Sequence, residues 1–150
     1  PLPSPDLYVT VVHPQIEVRT ADARAILKKQ LLLKDAIRQW GNIAGLVAGL
    51  TLKDYALIGR SLEDYLIEPV RSILIPGFDE VKQLSKAAGA LGGGISGSGP
   101  SIFMLSTTLP VAEAVATAMQ QVYQRLQVSS YTYVSKINQQ GIITSPCPLF

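Results

Sequence analysis

The stretch Gly92-Gly93-Gly94-Ile95-Ser96-Gly97-Ser98-Gly99-Pro100-Ser101 puts five glycines and three serines into ten residues. It limits what the chain can fold into more than any other segment. Glycine loses the most backbone entropy on folding, so such a run needs a reason: positive φ, or a close approach of the backbone to something else. Apolar sequence flanks it, Ala87 to Leu91 before and Ile102 to Leu105 after. Gly92-x-Gly94-x-x-Gly97 has the letters of a dinucleotide-binding fingerprint, but that motif must follow a strand and open a helix. Here Pro100 and a strand-like run come next, so the context fails. A Walker A loop fails too, because no Lys-Ser/Thr pair follows at the required spacing. Two readings stay open. One is a flexible hairpin or bulge, although a hairpin needs only one or two glycines. The other, which the composition favours, is a nest of N–H groups and hydroxyls facing an oxyanion.

Periodicity and turn signals arrange the rest of the chain around this loop. Leu7 to Val12 is β-branched and aromatic and closes at His13-Pro14, which predicts a strand. Thr20 as N-cap, with Asp22 in the first turn, predicts a short helix to about Gln30. Leu33, Ile37, Trp40, Ile43, Ala44 and Val47 predict an amphipathic helix from about Leu33 to Gly49 with that face inward. Another helix carries Tyr55, Ile58, Leu62, Tyr65 and Leu66 on one face and ends or bends at Glu68-Pro69. Pro76 opens a helix that turns Phe78, Val81, Leu84 and Ala88 inward. A strand at Ala90-Leu91 leads into the glycine loop, and a further strand runs from Ser101 to Ser106. Thr108 and Pro110 start a helix burying Val111, Val115, Ala118, Met119, Val122 and Leu126. Ser130 to Ile137 alternates as a strand, Gln140-Gly141 turns, and Ile142-Ile143 offers a short edge pairing. The loop between the second and third strands is too short for a crossover helix, so those strands pair antiparallel. The order predicts an α+β two-layer sandwich: a mostly antiparallel, four-stranded, ferredoxin-like sheet with helices on one face and an inserted helical group after the first strand.

Composition narrows the function classes. A chain of 150 residues with 47% hydrophobic and 16% charged residues is one folded domain, not a disordered segment. A net charge of +2 without a Lys/Arg run argues against a nucleic-acid surface. Lys28-Lys29 and the Lys82/Lys86 pair read as solvated helix faces. One cysteine, Cys147, supports no disulfide framework and reads as inert, and one histidine, His13, excludes a His-His zinc motif. No metal ligand set stands out. No apolar stretch is long enough for a membrane span, and a cytoplasmic setting is the default. Pro1-Leu2-Pro3-Ser4-Pro5 lacks signal-peptide character and reads as the remnant of an interdomain linker ahead of a domain at 6–150.

Two arginines draw attention. Arg24 sits at the start of a helix, where the dipole disfavours a cation. It is either a solvated surface residue or, with Thr20 and the helix N-terminus, part of a carboxylate or phosphate site. Arg71 lies in a largely apolar connector, either in a salt bridge to Glu68 or Asp79 or facing a ligand. His13 reads as structural, Trp40, Tyr55 and Tyr65 as core, and Asn42 and Asp64 as solvated or capping residues. No carboxylate pair stands out as an acid/base couple, so no catalytic residue is assigned.

Taken together, these segments resemble the GHMP kinases. Gly94-Ile95-Ser96-Gly97-Ser98-Gly99-Pro100 is similar to that family's Gly-x-x-Gly-Ser-Gly-Pro motif. Thr20-x-x-Ala23-Arg24, and Glu68-Pro69-x-Arg71 followed by Ile75-Pro76-Gly77-Phe78, look most like the homoserine-kinase branch. The similarity runs from about Pro5 to Ile143. The resemblance implies the GHMP kinase C-terminal domain over 6–150 and transfer of the ATP γ-phosphoryl group, with Mg²⁺, to the side-chain hydroxyl of L-homoserine. The product is O-phospho-L-homoserine, in threonine biosynthesis. It implies substrate binding by Thr20, Arg24, Arg71, Ser96, Gly97, Ser98 and Gly99, the arginines taking the carboxylate. Gly97 and Ser98 then lie beside the transferring phosphate. The family's main phosphate loop, Pro-x-x-x-Gly-Leu-Gly-Ser-Ser-Ala-Ala, does not occur in this sequence. The implied partner is therefore an N-terminal lobe, and the 150 residues alone are expected to be inactive. A lobe without that partner is expected to expose an apolar face and to self-associate as a homo-oligomer. Another GHMP kinase acting on a different alcohol, and a non-catalytic ferredoxin-like amino-acid-binding module, are the competing readings.

Overall fold

Alternating β-branched and aromatic residues build the central strand. β1 (Tyr8–Pro14) turns Thr10, Val12 and Pro14 into the interior. The computed structural model of the protein describes residues 6–139. The 1–5 linker, the Gln140-Gly141 turn, the Ile142-Ile143 pairing and Cys147 lie outside the described residues. After β1 come four helices, α1 (Thr20–Ala25), α2 (Leu33–Leu52), α3 (Tyr55–Ser61) and α4 (Glu68–Arg71), then a 3-10 turn at Ser72–Leu74. α5 (Phe78–Ala87), β2 (Gly92–Ile95), β3 (Ile102–Ser106), α6 (Leu109–Arg125) and β4 (Ser130–Lys136) complete the described order.

The strands form one sheet in the order β2-β3-β1-β4, with every neighbouring pair antiparallel. This is the ferredoxin-like split βαβ arrangement expected, with α1 to α4 inserted after β1. Register follows the alternation: Val12 pairs with Ile102 and Val11 with Tyr133. Val12, Ile102 and Met104 meet Phe78 and Val81 of α5 and Val115, Met119, Val122 and Tyr123 of α6. Each such side chain, fully buried, contributes about 1.5–3 kcal/mol. Thr10 sits on this face too, where its hydroxyl donates to the Ala112 carbonyl at 2.9 Å. The opposite face is not bare. Val9, Phe103 and Leu105 pack with Leu7, Ile58, Leu46 and Leu50, so the α2–α3 pair covers one end of it. Helices on one face therefore describes α5 and α6, while the inserted group supplies a second, smaller core.

Several boundaries and faces differ from the sequence expectation. α1 stops at Ala25, not Gln30, and its N-cap is Arg19 with no side-chain cap bond, so Thr20 is the first helical residue. α3 ends at Ser61 instead of running to Leu66. Asp64 explains the stop: its Oδ1 accepts from Leu66 and Ile67 N–H at 2.8 and 2.9 Å, which starts the next turn instead. α5 starts at Phe78 with Gly77 as N-cap, leaving Pro76 just outside. The largest difference is in α2. Leu33, Ile37, Trp40, Ile43 and Val47 do share one face, but that face is exposed, Leu33 by 68% and Trp40 by 60%. The buried side of α2 is instead the glycine side, where a Cβ on Gly49 would stand 3.0 Å from the Ile58 backbone N. Tyr65 is exposed as well, with the Arg38 guanidinium 5.6 Å above its ring. Tyr55, as expected, packs into the α2–α3 core. His13 has the structural part expected of it, with Nδ1 2.8 Å from Ser101 Oγ. No helix among the described residues is long and apolar enough to cross a membrane.

The two sides of α2 predict opposite outcomes for one substitution. Gly49→Ala forces a methyl against Ile58 and Asp54 and is expected to destabilise by about 1–3 kcal/mol. Gly41→Ala meets nothing within 4 Å and is expected to stabilise by up to about 1 kcal/mol through helix propensity. Urea denaturation of the two variants beside the parent checks both signs.

Candidate functional site

The glycine run is two structures, not one loop. Gly92, Gly93 and Gly94 form most of strand β2 and are buried. Each gives up a side chain to a neighbour: a Cβ on Gly92 would stand 3.0 Å from Leu62, and one on Gly93 2.7 Å from the Met104 Cα. A Cβ on Gly94 would overlap the Glu68 carboxylate. The turn proper begins at Ser96, whose N–H donates to the Ser101 carbonyl at 2.8 Å, while Gly99 N–H donates to the Ser96 carbonyl at 3.1 Å. Gly97 and Gly99 hold φ of +63° and +86°, which non-glycine residues rarely adopt. Neither the Gly97 nor the Ser98 N–H donates to any described residue. Two successive amides thus remain for a ligand, which is the oxyanion-nest reading reduced from the whole run to its tip.

Arg71 closes the last turn of α4 and is half-buried. Its Nε donates to the Ala23 carbonyl and its Nη1 to the Gly97 carbonyl, each at 3.1 Å. Of the two readings of Arg71, the salt bridge to Glu68 or Asp79 does not form. Instead the guanidinium spans the gap between α1 and the glycine turn. Of the five N–H groups of a guanidinium these bonds use two, leaving three on the Nη1/Nη2 side for an incoming acceptor. Arg24 follows Ala23 directly, so the Arg71 bond brings the two arginines into one neighbourhood. The Arg24 side chain is exposed and has no bond or ion pair with any described residue.

Glu68 is the buried acid of the site. One of its oxygens is paired with Lys82 Nζ, and the two side chains are only 11% and 12% exposed. Lys82 also lies 3.4 Å from Glu63 Oε2, and Glu63 in turn pairs with Lys86. Lys82 is therefore a buried partner, not the solvated lysine its spacing implied. Burial pushes the Glu68 carboxyl above its ordinary value, only partly offset by Lys82. Burial also pushes the Glu63 carboxyl up, but Lys86 and Lys82 outweigh that and hold it below its ordinary value.

Glu63, Glu68, Arg71, Gly94 and Gly97 line one cleft of about 250 Å³, together with Gln39, Ser61, Asp64, Ile67, Ile95 and Phe103 among others. Its floor is tied to α2: Gln39 accepts from Tyr65 N–H at 2.9 Å, and Asn42 donates to the Glu63 carbonyl at 2.7 Å. Of the residues named from sequence, Arg71 and Gly97 line the cleft, while Thr20, Arg24, Ser96, Ser98 and Gly99 are not among its lining residues. Glu68 and Lys82 were missed as a site pair, although Glu68 stood in the quoted Glu68-Pro69-x-Arg71 signature. No cluster of three or more His, Cys, Asp or Glu among the described residues is arranged to hold a metal ion.

A family model, the C-terminal domain of GHMP kinases, matches residues 43–125, more than half of the chain. The chain belongs to the GHMP kinases. A homoserine kinase of Chloroherpeton thalassium is 57% identical over 122 residues, covering 81% of this chain and 38% of that protein. A homoserine kinase of Chlorobium phaeobacteroides is 50% identical over 143 residues, covering 93% of this chain and 45% of that protein. The crystal structure of a homoserine kinase from Cytophaga hutchinsonii superposes with a TM-score of 0.91 at 55% identity, over 93% of this chain and 45% of that one. The Streptococcus pneumoniae phosphomevalonate kinase, at 14% identity and a TM-score of 0.67, shares the GHMP fold alone. This GHMP kinase chain spans less than half the length of each of these relatives.

The acid–base pairs predict unequal lysine contributions. Lys82→Met leaves Glu68 buried without its partner and is expected to cost about 3 kcal/mol near neutral pH. Lys86→Met, at a partly exposed pair, is expected to cost less than about 1 kcal/mol. In Lys82→Met the Glu68 carboxyl rises further above its unfolded value, so protonation relieves the burial. The loss is then smallest below the ordinary glutamate pKa of 4.5 and grows as pH rises through the raised folded value. Denaturation at pH 4.5, 6 and 8 measures this slope.

Proposed function

We propose that this chain is the C-terminal, substrate-binding half of a homoserine kinase, which transfers the ATP γ-phosphoryl group to the side-chain hydroxyl of L-homoserine. The observation that carries the proposal is the Arg71 guanidinium, held by the Ala23 and Gly97 carbonyls with three N–H groups unused by those bonds, on a residue that lines the cleft beside the glycine turn. A planar guanidinium held this way suits a carboxylate better than an ammonium would. The names of the relatives at 50% identity and above support the same substrate.

In this reading Arg71 and Arg24 take the α-carboxylate of homoserine, with Thr20, Ser96 and Gly99 beside them. The Gly97 and Ser98 amides face the phosphoryl group. The hydroxyl oxygen forms a bond to the γ-phosphorus, the bond from that phosphorus to the bridging oxygen breaks, and ADP leaves with the electron pair. The hydroxyl proton goes to a base or to water. This chain's residues position and neutralise charge, which is most of what phosphoryl transfer asks of a protein. Mg²⁺ would neutralise the nucleotide phosphates. The acids present fit structural pairing better than metal binding, since Glu63 and Glu68 are already held by lysines. An upstream lobe would complete the nucleotide site, and the exposed face of α2 supports an association with further protein surface, including self-association. A cytoplasmic location belongs to the same proposal, since ATP and free amino acids are both available there.

A substrate panel on the full-length protein tests it. Homoserine is expected to be phosphorylated in preference to mevalonate, galactose and shikimate, and the 150-residue chain alone is expected to show no turnover. Arg71→Lys is expected to raise the homoserine KM by about 10- to 100-fold, with the ATP KM held within about twofold. Preference for another alcohol, or an unchanged homoserine KM in both Arg71→Lys and Arg24→Ala, would contradict the proposal.

A further inference from the structure

Two contacts join α4 to β2 and its turn, and they keep the same spacing on both sides. Glu68 meets Gly94, and three residues further along each segment Arg71 meets Gly97. Glu68 and Arg71 stand at i and i+3 of a single helical turn, so neither can shift without the other. Gly94 and Gly97 are likewise joined by only Ile95 and Ser96. From this pairing we infer that Glu68 is the positioning residue of the cleft. It sets the separation between α4 and β2 at which Arg71 reaches Gly97 and presents its remaining N–H groups to a carboxylate. The inference deepens the proposed function and rests on it.

The chemistry at Glu68 supports a positioning role over simple filling of space. A buried carboxylate persists only where its charge is met. One oxygen is held by Lys82, and the other lies where the side chain of residue 94 would otherwise project. An apolar residue would fill the same volume without either demand. Lys82 projects from α5, whose neighbouring Val81 is fully buried in the main core. The pair therefore ties the cleft wall to a helix that packs into the main core. The two Arg71 bonds orient its guanidinium against α1 and the glycine turn, but neither reaches the main core. Glu68 needs no contact with substrate for this role.

The test is a double-mutant cycle on the full-length protein, using Gly94→Ala, Glu68→Ala and the two combined. Kinetics with homoserine and ATP are read beside the ¹⁵N–¹H resonance of Arg71 Nε. Gly94→Ala pushes Glu68 out of place and is expected to raise the homoserine KM about tenfold or more, as small displacements of positioning groups do, with the ATP KM within about twofold. Placed on Glu68→Ala, where the methyl has room, the same change is expected to cost less than about twofold, because both act through one contact. Glu68→Gln keeps an oxygen for Lys82 and nearly the same shape, folds with the least disturbance, and is expected to raise the homoserine KM by less than Gly94→Ala does, with the ATP KM within about twofold. Equal costs of Gly94→Ala in both backgrounds, or equal effects on the homoserine and ATP KM, would overturn the inference. The Arg71 Nε–H resonance is expected to move in Gly94→Ala whatever the substrate is. If the parent enzyme does not phosphorylate homoserine, the proposed function fails, and an unmoved resonance in Gly94→Ala would still overturn the positioning role by itself.

Discussion

Strand β2 carries no side chain over three consecutive residues, and the site is built on that bareness. Gly92 admits Leu62, Gly93 admits the backbone of β3, and Gly94 admits the Glu68 carboxylate. Any Cβ there would push away the wall of the cleft or the neighbouring strand. The entropic cost of ordering three glycines, about 0.5–1 kcal/mol each against alanine, is met by the packing they allow. The strand then delivers the Gly97 turn to Arg71, so a constraint on packing becomes a constraint on where two backbone amides point.

Charge is laid out to the same end. Glu63 and Glu68 face Lys82 and Lys86, which leaves Arg71 without a carboxylate partner among the described residues. Its two bonds go to carbonyl oxygens, which orient the guanidinium without cancelling its charge. An anion entering the cleft meets a cation already fixed in direction, so less conformational entropy is lost on binding. The second, smaller core around Ile58 and Leu105 holds α2 and α3 against the open face of the sheet, and Gln39 and Asn42 of α2 brace the cleft floor.

Much of this is legible in the sequence where a local rule decides it. The β1 alternation, the Thr108 cap and the apolar face of α6 each set their element within a residue or two, because spacing alone determines which side chains share a face. The antiparallel pairing of β2 and β3 follows from loop length. Other features escape such rules. The stripe from Leu33 to Val47 shows which face of α2 is apolar, but periodicity does not say what covers that face, and here none of the described residues does. Lys82 looks like a surface lysine because its partner Glu68 lies 14 residues away on another element. Arg71 bonds to main-chain carbonyls, which every residue carries and no sequence pattern marks. The glycine run stands out by its composition, but its division into packing glycines and turning glycines depends on neighbours that only the fold supplies.

Membership of the GHMP kinases accounts for the sheet order and the turn. The distinctive content of this chain is the bridge from α1 through Arg71 to Gly97. Its most direct test is a crystal structure of the full-length protein with L-homoserine bound. The substrate carboxylate is expected at hydrogen-bond distance, about 3 Å, from the Nη1/Nη2 side of Arg71, with the Nε bond to the Ala23 carbonyl intact. A carboxylate held elsewhere, with Arg71 still bonded only to Ala23 and Gly97, would contradict it.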